Sequence, residues 1–179
     1  GALAELEVAR QSLPNDARIL RPTGYIQRRQ GRWDESTRNL ERALELDPLN
    51  LGRMQQLSSS YHLLRRYADE SAINDRALSL APTDTGVRQV RSQLHLDARA
   101  DTRPLHATLA TIMSDDASAA ESIADGLLTC ALCERDVSAA ERALSAISSG
   151  GVGLSNLQYP RAYAEGLIAR CLDSNPTRA

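Results

Sequence analysis

Proline falls at Pro14, Pro48 and Pro82, so two successive intervals are each 34 residues long. The flanks recur with it: SLPND at 12–16, ELDPLN at 45–50 and SLAPTD at 79–84. Upstream of the second and third prolines, RWDESTRNLERALELDP (32–48) and RYADESAINDRALSLAP (66–82) share three features. These are an aromatic residue (Trp33, Tyr67), an acidic pair near a helix start and an Arg-Ala-Leu before the closing Leu-x-Pro. A unit this short cannot hide its apolar face alone, so a chain built from it has to stack neighbours to make a core.

The residues inside each interval suit two antiparallel helices. Gly24, Ser58, Ala43 and Ala77 are small enough for close approach, and Leu20, Leu40, Leu57 and Tyr61 fill the seam. Each proline ends the second helix, because its ring and missing N–H resist continuation. Asp16, Asn50 and Asp84 precede helical runs and suit N-cap positions.

This pattern resembles the tetratricopeptide repeat, a 34-residue helix–turn–helix unit. Residues 17–50 supply Leu20, Gly24, Ser36, Leu40, Ala43 and Pro48 at the signature positions, and depart from it at Thr23 and Gln27. Residues 51–84 supply Met54, Leu57, Ser58, Tyr61, Ala77 and Pro82, with Glu70 and Asn74 where apolar or small residues are usual. The resemblance implies an all-α fold, a right-handed α-solenoid of about five antiparallel helix pairs. It also implies binding and no reaction, so no enzyme is expected.

Outside the two clear repeats the pattern decays. Residues 1–16 read as the second helix of a truncated repeat (Ala2 to Ser12), and 85–116 and 117–150 as degenerate hairpins. Arg88, Arg91 and His95 occupy positions of the first degenerate hairpin that ought to be apolar, and Pro104 suits the first turn of its second helix. Residues 151–179 read as a loop followed by the first helix of another truncated repeat; SSGGVGLSN (148–156) is too glycine-rich for helix, and no strand alternation is visible. In the final helix Ala164, Leu167, Ile168 and Leu172 share one face. A half-repeat at each end leads us to expect a piece of a longer protein.

Composition narrows the class further. All 21 basic residues are Arg and there is no Phe, which a GC-rich, bacterial genome explains without selection on function. Aromatic residues make up 3%, so the core must be Leu, Ala, Ile and Val. A net charge of −2 argues against nucleic acid as a partner. No apolar run approaches the roughly 20 residues that span a bilayer, so no membrane contact is expected of this segment. Three cysteines do not make a secreted disulfide framework, and the expected compartment is cytoplasmic.

No catalytic constellation is apparent, and no metal or cofactor is expected. Cys130 and Cys133 form a C-x-x-C, but inside a helical run (LLTCALCERD) and without the second ligand pair of a zinc site. Packed cysteines are the expected reading, with a redox or metal switch as the alternative. His62, His95 and His106 have no ligand spacing, and GGVG lacks the lysine of a phosphate loop.

In repeats of this family the first helix of each pair lines the inner, concave surface. On residues 17–50 the matching positions are Arg18, Arg21, Tyr25, Arg28 and Arg29; on 51–84 they include Gln55, Ser59 and His62; on the third unit they include Gln89. Four arginines around one tyrosine suit an acidic peptide, because the guanidinium fork pairs with carboxylates. The competing reading is a solvated face balanced by Asp34, Glu35, Glu41 and Glu45. The carboxylate clamp that family members use on chaperone tails is matched only at Arg21. The expectation is therefore a protein-interaction scaffold, with a protein or peptide partner in its groove. A regulatory region of a multidomain bacterial signalling protein (kinase, cyclase or transcription regulator) is the alternative. Residues 1–100 carry net +2 (15 Arg against 13 acids) and 101–179 net −4 (6 against 10), which leaves self-association open.

Overall fold

A computed structural model describes residues 1–148, 150–154 and 157–172. The class is all-α. Residues 1–82 and 83–179 form two compact units, each taken by itself below.

The first unit holds α1 (Ala2–Ser12), α2 (Ala17–Arg29), α3 (Trp33–Glu45), α4 (Leu51–Leu63) and α5 (Tyr67–Leu80), and successive helices pack on one another. The 34-residue spacing of the prolines reappears in the helix starts, Ala17 to Leu51 and Trp33 to Tyr67. Asp16 and Asn50 cap as expected: their side chains accept from the Arg18 N–H at 2.8 Å and the Arg53 N–H at 3.1 Å. Leu20, Leu40, Ala43 and Leu44 bury between α2 and α3, and Met54, Leu57, Tyr61 and Ala77 repeat the seam one hairpin on. Each buried leucine contributes about 1.5–3 kcal/mol relative to leaving it in water. Helix α1 buries none of its residues.

Gly24 sets the spacing of the first hairpin. A Cβ there would lie 3.0 Å from Leu40 Cγ and 3.1 Å from the Ser36 carbonyl oxygen, and the Ser36 hydroxyl donates to the Gly24 carbonyl at 2.7 Å. The polar departures in this hairpin each find a partner. Thr23 donates to the Ile19 carbonyl at 2.7 Å, and buried Gln27 accepts from Asn39 at 2.7 Å. The second hairpin is less complete, since buried Glu70 and Asn74 leave Oε2 and Nδ2 without a partner. The turns differ too. Gly31 takes the left-handed conformation after α2 (φ 76°), whereas Arg65 takes it 34 residues later (φ 55°). A second surprise is Pro22, which sits inside α2 and removes the N–H that the Arg18 carbonyl would otherwise accept.

The second unit holds α6 (Thr85–Arg99), α7 (Arg103–Asp115), α8 (Ala124–Glu134), α9 (Val137–Ala146) and α10 (Arg161–Cys171). Asp84 caps α6 through the Val87 N–H at 2.8 Å, and Pro104 lies in the first turn of α7. The charged positions of α6 find their own solutions: Arg88 reaches Asp115 at 3.3 Å, and Arg91 meets His95. Residues 117–120, at the start of the hairpin expected over 117–150, form a 3-10 turn, with Asp116 accepting from the Ser118 N–H. Leu105, Leu109, Ile112 and Ile123 make one core cluster with Cys130, and an alanine-rich cluster joins α8, α9 and α10.

One expectation near the end needs correction. The segment read as loop contains a short antiparallel ribbon, β1 (Val152–Leu154) and β2 (Leu157–Tyr159), paired Val152 with Tyr159. Three-residue strands are too short to show alternation in the sequence. Helix α10 buries Ala164 and Ile168 as expected and adds Ala169, with Leu167 half-buried. Arg161 anchors its start by donating to the Leu144 and Ile147 carbonyls, each at 2.7 Å. Residues 173–179, the rest of the segment read as a truncated repeat, lie outside the described residues.

Candidate functional site

Helix α2 carries five of the predicted groove residues, and the structure sorts them into distinct roles. Arg18 is spent locally. Its guanidinium grips the capping carboxylate of Asp16, with Nη2 at 2.6 Å from Oδ2, and that hydrogen bonding holds the Asp16 carboxyl at about 2. The side chain is 85% exposed, but its charge is matched.

Arg28 is a strut between two helices. Nη2 donates to Gln56 Oε1 at 2.9 Å, and Nη1 lies 3.4 Å from the Gln56 carbonyl and 3.3 Å from Ser60 Oγ, both on α4. Its guanidinium carbon also sits 5.5 Å from the centre of the Tyr25 ring, a cation–π distance. These partners are neutral, so the strut keeps its positive charge. Arg21 and Arg29 are exposed and form no ion pair among the described residues.

The acids of α3 do not neutralise this face. Glu35 pairs with Arg32, Glu45 pairs with Arg42 at 2.6 Å, and Glu41 accepts the Tyr61 hydroxyl at 2.8 Å with Arg66 at 3.7 Å. Burial first and the Glu41 carboxylate next push the Tyr61 phenol above its ordinary range. Asp34 is exposed and makes no ion pair with an α2 arginine among the described residues.

Helix α4 supplies the rest of the predicted set. Gln55 is exposed, and Ser59 is half-buried with its hydroxyl donating to the Gln55 carbonyl at 3.0 Å. His62 leans on α5: Nδ1 is 3.4 Å from Glu70 Oε1, and its ring meets Tyr67 edge-on at 6.5 Å. Gln56, which is not among the groove residues expected from the sequence, serves as the acceptor for Arg28.

Gln89, placed on the groove by the repeat pattern, is buried. It donates to Asp125 at 2.8 Å and lies where a Cβ on Gly126 would be 2.9 Å away. Burial raises the Asp125 carboxyl, with the Gln89 bond opposing.

The cysteines are not poised for thiolate chemistry. Cys130 is buried, and desolvation, then Glu134 and Cys133, push its thiol up to about 12. Cys133 is exposed, yet its thiol is also raised, by desolvation first and then by Glu134 and Asp97. Reactive thiols are shifted the other way, by helix N-termini or cations. Among the described residues no three His, Cys, Asp or Glu side chains come together as a metal-ion site, and no helix is long and apolar enough to cross a membrane.

No protein-family model matches this chain, and no curated protein matches it.

Proposed function

We propose that the chain is a non-catalytic protein-interaction scaffold, a right-handed α-solenoid of the tetratricopeptide kind, and that its α2–α4 face binds an acidic segment of a protein partner. The observation that carries this is three guanidiniums on α2, Arg21, Arg28 and Arg29, that have no carboxylate partner among the described residues, with Arg28 over the Tyr25 ring. Eight residues of helix separate Arg21 from Arg29, about 12 Å of axis. That length suits an extended peptide with carboxylates several residues apart. Glu35, Glu41 and Glu45 of α3 are occupied elsewhere and Asp34 makes no ion pair with these arginines among the described residues, so this charge is available to a ligand in a chain of net charge −2.

The test leaves the strut intact. Arg21→Glu with Arg29→Glu reverses two exposed charges, and binding of a fluorescein-labelled Asp/Glu-rich peptide is read by anisotropy. The expected result is a loss of about tenfold or more in affinity, and wild-type binding that weakens steeply with salt. Unchanged affinity in a variant with unchanged helicity defeats the proposal.

A further inference from the structure

The second unit contains a cavity that the acidic-peptide reading does not use. It lies between α7 and α9 over α8 and encloses about 340 Å³, at the lower end of the usual range for small-molecule sites. Met113, Leu127 and the buried Cys130 line it from one side, and Ala139 and Ala143 from the other. Toward α7, helix α9 presents the alanines Ala139, Ala143 and Ala146 among the lining residues, and the space stays open.

Charge at the mouth is not symmetric. Glu134 and Asp136 stand at one end, at the turn from α8 to α9. The carbonyl end of α8 and the N–H end of α9 meet at this turn and oppose each other, so the two carboxylates set the sign of the charge there. His106 Nδ1 lies 3.3 Å from both Glu134 oxygens, and Asp136 Oδ1 accepts from the Ala139 N–H at 2.8 Å; these bonds fix the two carboxylates in place, and both residues line the cavity. Arg142, the remaining charged group, is six residues beyond Asp136 on α9, about 9 Å further along the axis.

We infer that this cavity binds a small organic amine: an apolar body of aryl-alkyl size against Met113 and the alanines, with its ammonium at the Glu134–Asp136 end. The site is independent of the α2–α4 face, because all its residues lie in the second unit.

The chain's two methionines make the test direct. Met113 lines the cavity, whereas Met54 is buried in the first unit and serves as an internal control. With ¹³C-methyl methionine, 4-phenylbutylammonium is titrated against 4-phenylbutanoate. The expected result is a saturable shift of the Met113 methyl with the amine and none at Met54, with a dissociation constant of about 1 mM or tighter. Glu134→Gln with Asp136→Asn keeps the helix cap and should weaken the amine about tenfold. Ala139→Leu, which fills the cavity, should abolish the shift. Equal response to the carboxylate, undiminished binding in the double variant, or no shift up to about 10 mM amine would each overturn the inference. So would a Met113 response to an amphipathic helical peptide alone, which would assign the cleft to a protein helix.

Discussion

Gly24→Ala separates two effects of opposite sign. Gly24 lies inside α2, where alanine is about 1 kcal/mol better than glycine on propensity alone. The new Cβ would stand 3.0 Å from Leu40 Cγ, 3.1 Å from Leu40 Cδ2 and 3.1 Å from the Ser36 carbonyl oxygen. Leu40 can rotate, but it is 4% exposed and has little room. The Ser36 oxygen is backbone and moves only if α3 moves. Overpacking of this kind costs about 1–3 kcal/mol, so after the propensity gain the net expectation is a loss of up to about 2 kcal/mol. For a unit of this size that is about 4–8 °C of melting temperature per kcal/mol. Gly52→Ala is the control, since the Cβ there meets only Asn50 Oδ1 at 3.5 Å and propensity should win by a few tenths of a kcal/mol. Urea titration followed by far-UV circular dichroism measures both. If Gly24→Ala stabilises the protein as Gly52→Ala does, the close-approach argument for the α2–α3 hairpin is wrong.

Two further outcomes concern the turns and the thiols. Arg65 holds a left-handed conformation that Gly31 supplies in the preceding hairpin, so Arg65→Gly should raise stability by about 0.5–1 kcal/mol in the same titration; a loss would mean the side chain contributes more than its strain costs. The three thiols should label at different rates with a maleimide near neutral pH: Cys171 and Cys133 are exposed, while buried Cys130 should wait for denaturant or for pH approaching 12. Fast native labelling of Cys130 would reopen the redox-switch alternative.

What the sequence conveyed was set by how local each determinant is. The caps at Asp16, Asn50 and Asp84 and the proline stops are decided within four residues, and the helices begin and end where those signals stand. The short ribbon at 152–159 lacks such signals and reads as loop; the 3-10 turn at 117–120 has its cap at Asp116, but a cap marks a helix start without deciding between α and 3-10 winding. For the candidate site, the repeat register placed the arginines on one helix, but register carries no information about partners. That Arg18 spends its charge on its own cap, that Arg28 reaches across to Gln56, and that His62 leans on Glu70 all depend on rotamers and on the neighbouring hairpin. Gln89 went astray for the same reason: a position assigned to the groove by counting is buried against Gly126 and Asp125.

The claim that matters most is that the α2–α4 face takes an acidic chain through guanidiniums left without carboxylates. Arginine Nε–Hε spectra of the full chain, recorded while an Asp/Glu-rich peptide is added, test it residue by residue. The account predicts that Arg21 and Arg29 shift and saturate together with the Tyr25 ring signals, while Arg18 and Arg42, already held by Asp16 and Glu45, stay in place. Shifts confined to the second unit, or spread evenly over every exposed arginine, would contradict it.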